Sequence, residues 1–486
     1  MRKYLPVLLA ALLAAAAVRA GAQVYSGDLP QIGEPADAAM SPAEEKKLGS
    51  QVVTEFYSHD FVLEDPEISD FITALGYRIV SASETTPPPM TFFVVKDDRI
   101  NAFALPGGYI GMNAGTITTV ANESELAGVL GHEMAHVTQR HIARAIEGQE
   151  TANIATWAAV LAAILAGSAN PDVVLAALSV GQAATYERQV GFTRSNEMEA
   201  DRIGIQTMAR VGFDPDAMAS FFQRLEQQSR LYGNQLPEFL RTHPVNTTRI
   251  SEARNRAASL PKHKVTDPVD FRLIQARTRV LAADTPGEAV EYYAAQNRAA
   301  PDVPEYRYGL AMAQLQQGDA TRAGETLKPL LDPQRGPPPA AVSLLAGRIQ
   351  LAARQPAAGL QTLAQTLDRF PRYTPAIFEY AEALMDQNQP EKARQVLISH
   401  EQGLGTRMDT YRLLALAARA SGNNAESQYQ MANYLYARGD VGGAVAALDA
   451  GLRIKSLSSD DRAKLVARRD EIAPNLPRGR QTRTSR

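Results

Sequence analysis

The chain has 486 residues, of which 45% are apolar and 21% charged, with a formal charge of −3 and no cysteine. That length exceeds what one hydrophobic core usually serves, so two or more domains are expected. The charge balance shows no basic excess of the kind a nucleic-acid binder carries, and without thiols any metal site must draw on His and carboxylates.

The N-terminal stretch MRKYLPVLLAALLAAAAVRAGAQ has the three parts of a secretory signal. Arg2 and Lys3 form the positive end, Leu5 to Val18 the apolar run, and Ala20-Gly21-Ala22 a small-residue cleavage site. Residues 1–22 are therefore read as a signal peptide. A retained membrane anchor is the rival reading, for which the apolar run is short. Export without cysteine suits the periplasm of a Gram-negative cell. Residues 23–45 are rich in Pro, Ala and Gly and read as an extended lead-in, followed by helical periodicity over 45–58 and 66–80. The segment TFFVVKDDRINAFALPGGYIGMNAG (91–115) reads as two or three short strands with Gly-rich turns.

Ser124 to Glu147 is expected to be one long helix, capped by Ser124 or Asn122. It carries GVLGHEMAHVTQRHIA (128–143), in which His132 and His136 stand four apart and share a helix face. Both imidazoles can point at one ion, and Glu133 can take a proton from an attacking water. Zinc, one per chain, suits that donor set. HExxH also occurs by chance in unrelated helices. Here Val129, Leu130, Met134, Ala135 and Val137 make the helix largely buried, and buried His and Glu need partners or a metal. His141 is assigned to packing or surface hydrogen bonds rather than to the metal.

The run TANIATWAAVLAAILAGSANP (151–171) has no charge, and a second weakly polar run follows from Val173 to Ala184. The plain reading is a buried helical hairpin; a flap over the site or a face touching a membrane is the alternative, and a transmembrane span ranks last. Further on, SNEMEADRIGIQTMAR (195–210) offers Glu197 and Asp201, four apart on one face, with Glu199 pointing elsewhere. One of the pair can bind the metal while the other accepts the N–H of a ligating His; spacing leaves the roles open.

HEMAH followed by NEMEAD resembles the M48 family of zinc metallopeptidases. The resemblance implies that Glu197 is the third metal ligand and Asp201 the partner of a ligating His. NAFALPGGYI (101–110) is similar to the family's strand before the catalytic helix, and a strand edge there can pair with an extended substrate backbone. Ala104 to Tyr109 is the candidate segment; a scaffold hairpin turning at Gly107 and Gly108 is the other reading. LRTHPVNTTRI (240–250) carries His243 and Arg249, which the resemblance places near the zinc, where they can steady an oxyanion. His243 can instead bind as a fourth ligand and hold the protease off, or face solvent without a role. Peptide-bond hydrolysis is the expected reaction, with Glu133 as the base that passes the proton on to the leaving amine.

Beyond about residue 270 the texture changes to Ala-, Leu-, Gln- and Tyr-rich helices with regular breaks. Leu273, Ala276, Val280, Ala289 and Pro301 fit one tetratricopeptide unit, and Leu310, Ala311, Gly318, Ala323 and Leu327 fit the next. Equivalent turns follow Gly318 at Arg354, Asn388 and Gly422, in steps of 36, 34 and 34 residues. The last step, to Gly439, is 17 residues, so one helix should serve two units.

The expected fold is thus mainly α: an α+β zincin-like metalloprotease domain with a small β element over 23–265, an α-helical tetratricopeptide solenoid over 270–465, and a basic, disordered tail over 475–486. This order resembles periplasmic M48 proteases with repeat domains. That resemblance implies a metalloendopeptidase with a chaperone-like role in outer-membrane barrel assembly. Its implied partners are unfolded or misassembled outer-membrane proteins, the barrel assembly machinery and the lipopolysaccharide transporter, with peripheral membrane contact. A repeat-scaffold chaperone with a latent protease centre is the competing reading.

Overall fold

The computed structural model describes residues 40–147, 183–232, 238–262, 268–400, 404 and 407–476. The expected signal peptide, the uncharged run 151–171, the second apolar run as far as 182 and the tail beyond Leu476 lie outside the described residues. Among the described residues no helix is long and apolar enough to cross a membrane. Contacts divide the described residues into two compact units, those up to Glu64 with those of Phe71–Phe271, and Asp65–Asp70 with those from Arg272 to Leu476.

The first unit opens with α1 (Pro42–Ser58). Ser41 caps it in a reciprocal box with Glu44, and Pro42 sits at the position where a missing N–H costs nothing. The helix α2 (Pro66–Val80) gives its first residues to the second unit and the rest to the first. Three short strands follow, β1 (Thr91–Val95), β2 (Ala102–Leu105) and β3 (Tyr109–Asn113), in the order β1-β3-β2. The central strand β3 runs parallel to β1 and antiparallel to β2. Gly107 and Gly108, both at positive φ, make the hairpin between β2 and β3. A side chain on Gly107 would strike the backbone of Lys46. Phe56, Phe93 and Phe103 meet between α1 and the sheet, with ring centroids 5.6 to 5.8 Å apart.

After α3 (Ala114–Thr119) comes α4 (Glu123–Thr138). Asn122 is its cap, accepting from the Glu125 N–H. The expected single helix to Glu147 is in fact two. Gln139 closes α4, Arg140 adopts φ 51°, and α5 (His141–Glu147) starts in a new direction. Arg140 is held in that left-handed conformation by bonds from its guanidinium to Met40 O and the Glu45 carboxylate. The unit continues with α6 (Ala183–Arg210), α7 (Asp216–Tyr232), α8 (Glu238–Thr242) and α9 (Thr247–Ala258).

The second unit is a series of antiparallel helix pairs, α10 (Val269–Ala282) with α11 (Pro286–Ala299), α12 (Pro304–Gln316) with α13 (Ala320–Leu327), α14 (Ala340–Ala352) with α15 (Pro356–Arg369), α16 (Thr374–Asp386) with α17 (Pro390–Ser399), then α18 (Met408–Ala420) to α21 (Ser459–Ile472). Gly318, Arg354, Asn388, Gly422 and Gly439 all take positive φ. At each, paired backbone bonds close the preceding helix, as in Arg354 N–H to Leu351 O at 3.0 Å and Gln355 N–H to Gln350 O at 2.9 Å. Between Gly422 and Gly439, α19 (Asn424–Ala437) packs on both α18 and α20 (Val441–Leu452), so one helix does serve two units.

Asp65–Asp70 are held in this unit by ion pairs. Arg277 binds both Asp65 oxygens at 2.6 and 2.8 Å and Glu67 at 2.7 Å. Arg348 bridges Glu67 and Glu379, and the Tyr373 hydroxyl donates to Glu67 at 2.8 Å.

Candidate metal centre

The centre is built where α4 and α6 cross. Gly131 and Gly204 allow the approach: a Cβ on Gly204 would stand 2.9 Å from the His132 backbone nitrogen. Neither glycine was singled out in the sequence, because their role exists only once the helices pack. The crossing brings His132 and His136 on α4 against Glu197 and Asp201 on α6. The segment after α8 adds His243, and the first turn of α9 adds Arg249.

Four donors converge. His132 Nε2 lies 3.0 Å from His136 Nε2, 3.3 Å from His243 Nδ1 and 3.4 Å from Glu197 Oε2. Glu197 Oε1 lies 3.4 Å from His136 Nε2 and 3.0 Å from His243 Nδ1. Ligand atoms bound tetrahedrally to zinc at about 2.0–2.1 Å stand roughly 3.3 Å apart, so these spacings fit a zinc ion. All four donor atoms lie within 4.8 Å of one another.

Around them the remaining groups are aligned. His132 Nδ1 is 2.9 Å from Asp201 Oδ1. Arg249 reaches Asp201 with two nitrogens, Glu197 at 2.8 Å and Pro244 O at 2.9 Å. Four of its five N–H donors thus meet carboxylates and a carbonyl. The geometry makes Arg249 a group that holds the acidic residues of the site. Asn246 caps α9 through the Arg249 N–H. Phe239 packs against His243 at 4.9 Å between ring centroids, and Phe222 lies under the Arg249 guanidinium.

His243 is buried, which removes the solvent-facing reading. His141 is buried too, 2.9 Å from His136 Nδ1 and 3.1 Å from Glu199 Oε2, so the surface reading of that residue is also corrected. Both carboxylate oxygens of Glu133 are buried with no close hydrogen-bond partner; the Ala104 backbone N–H and His243 Nε2, 3.6 Å away, are the groups that face it. A buried carboxylate so weakly partnered, beside four converging donors, is able to take a proton from a water bound there.

The electrostatics agree with cation binding. Burial would raise the pKa of Glu197, but His243 and His132 hold it well below the usual carboxylate range. Burial would lower His132, yet Asp201 and Glu197 push it up to about 10. Burial lowers His136, leaving it neutral as a ligand must be, and raises Glu133. Glu197 and Asp201 outnumber Arg249 by one negative charge, which a cation held at the donor cluster would offset.

β2 lies at the edge of the sheet, and α4 packs on it. Of the candidate segment Ala104 to Tyr109, only Ala104 and Leu105 belong to that edge. Tyr109 begins the central strand, which is paired on both sides and has no free edge to offer.

The Peptidase family M48 pattern matches residues 69–257, and the tetratricopeptide repeat pattern matches 280–347 and 350–400. The beta-barrel assembly-enhancing protease of Escherichia coli is 32% identical over 477 residues, 96% of each chain. This chain belongs to that protease family, within the M48 peptidases. The putative beta-barrel assembly-enhancing protease of Vibrio cholerae is 36% identical over 337 residues, 68% of this chain and 69% of that one. The mitochondrial metalloendopeptidase OMA1 of Arabidopsis thaliana is 28% identical over 229 residues, 46% of this chain and 44% of that one. The last match is confined to less than half the chain, as expected if the M48 domain is what the two share.

Proposed function

We propose that this M48 peptidase is a periplasmic zinc endopeptidase that removes unfolded or misassembled outer-membrane barrels and, through its repeats, also assists their assembly. His132, His136 and Glu197 would hold one zinc ion, and His243 is a fourth donor. Bound there, zinc would supply Lewis acidity toward water and the scissile carbonyl. Glu133 takes the proton of the attacking water and delivers it to the leaving amine; burial raises its pKa, which suits a base that must carry that proton. Asp201 fixes the His132 ring through Nδ1, and Arg249 fixes Asp201 and Glu197.

The observation that carries this reading is the convergence of the four donors within 4.8 Å of one another beside the buried, weakly partnered Glu133. The same spacing supports a closed resting state. Catalytic zinc sites keep one position open, and His243 Nδ1, 3.3 Å from His132 Nε2 and 3.0 Å from Glu197 Oε1, is close enough to fill it. The centre is then latent until His243 withdraws, which joins the protease and latent-centre readings. The barrel assembly machinery and the lipopolysaccharide transporter are the partners this function would need, with peripheral membrane contact.

The test is selectivity. The purified protein should cleave an unfolded outer-membrane barrel, spare the same barrel folded in detergent, and lose the activity in Glu133→Gln. Equal cleavage of folded and unfolded barrels would refute the quality-control reading.

A further inference from the structure

His136 faces the donor cluster with Nε2, 3.0 Å from His132 Nε2 and 3.4 Å from Glu197 Oε1. Its other nitrogen lies 2.9 Å from His141 Nδ1. Two ring nitrogens at that separation share one proton, so one donates and the other accepts.

We propose that His141, backed by Glu199, is a positioning residue for the metal-binding ring of His136; the proposal rests on the metal reading above. A metal taken at His136 Nε2 leaves the ring proton on Nδ1, and His141 accepts it through its own Nδ1. The His141 proton then sits on Nε2, 3.1 Å from Glu199 Oε2. Glu199 is fixed in turn by Arg144 Nη1 at 2.9 Å. Every bond in the chain has one donor and one acceptor, and the tautomers are set outward from the metal. His132 is held by the same logic with one link fewer: Asp201 touches its Nδ1 directly and Arg249 fixes Asp201.

The helix break makes this possible. On an uninterrupted helix residues five apart point about 140° away from each other, so His141 could not stand behind His136. Arg140 at φ 51° ends α4 and turns the chain, which returns His141 to the back of the His136 ring. Arg140 is itself anchored to Met40 O and Glu45, so the turn is part of the support.

The test measures zinc affinity of the full-length protein by competition with a chromogenic chelator, alongside thermal melts of the metal-free protein. His141→Leu should bind zinc about ten- to a hundredfold more weakly. His141→Asn, whose amide oxygen can stand near the lost Nδ1, should recover most of the affinity. The visible spectrum of the cobalt-loaded protein should shift in His141→Leu and return toward wild type in His141→Asn. Wild-type affinity in His141→Leu, or no recovery in His141→Asn, overturns the proposal. Should the leucine variant fail to fold, Glu199→Gln decides, since its partly exposed side chain can change without disturbing the core; unchanged zinc affinity there also overturns it. A wild type that binds no more zinc than His132→Ala removes the metal reading itself, and this proposal with it.

Discussion

Arg249 grips Asp201 with two parallel bonds, Nε to Oδ2 at 2.7 Å and Nη2 to Oδ1 at 2.8 Å, in a site where both side chains are less than a tenth exposed. Asp201 in turn meets His132, and the same guanidinium reaches Glu197. One arginine therefore orients two buried carboxylates and offsets one of their two charges. Arg249→Met should destabilise the metal-free protein by about 3–5 kcal/mol, because it leaves both acids buried without that partner. Arg249→Lys should fall between, keeping the charge but losing the two-nitrogen grip. Urea unfolding of the three proteins measures this, and equal stabilities would contradict it.

His243 closes the donor set. His243→Ala should keep zinc, which His132, His136 and Glu197 still bind, and should cleave casein faster than wild type. Slower cleavage with zinc retained would instead assign His243 to stabilising the transition state.

Asp65 should confer a pH dependence on the second unit. Burial alone would raise its pKa, but the charge and hydrogen bonds of Arg277 hold it below the ordinary 3.8. A lowered folded pKa adds stability above the unfolded value and loses it as pH falls through the folded value. Asp65→Asn should therefore be less stable at neutral pH and lose less on acidification below about pH 4. Circular dichroism across an acid titration checks this; parallel curves for the two proteins would contradict it.

Arg354 occupies a turn where its equivalents Gly318, Gly422 and Gly439 are glycine, at φ 59°. A side chain costs energy in that left-handed conformation. Arg354→Gly should raise stability by about 1 kcal/mol, seen as a higher melting temperature; a lower one would mean that the Arg354 side chain makes a compensating contact.

Much of this architecture was legible because it rests on local spacing. His132 and His136, or Glu197 and Asp201, must share a face whenever four residues separate them on a helix. The repeat turns at Gly318, Arg354, Asn388, Gly422 and Gly439 were found by period alone, although two of them lack glycine. What sequence did not disclose depends on distant partners. Arg140 has no intrinsic preference for positive φ; Met40 and Glu45 impose it, and so the single helix expected to Glu147 breaks. His141 gained its place behind His136 from that break. Asp65 and Glu67 read as the start of an ordinary helix until Arg277 and Arg348, more than 200 residues on, take hold of them.

The most direct measurement pairs zinc content with casein cleavage in wild type and Glu133→Gln. The account predicts one zinc per chain in both proteins and cleavage only in the wild type, because Glu133 moves protons without holding the metal. Zinc absent from the wild type, or full activity in Glu133→Gln, would contradict it.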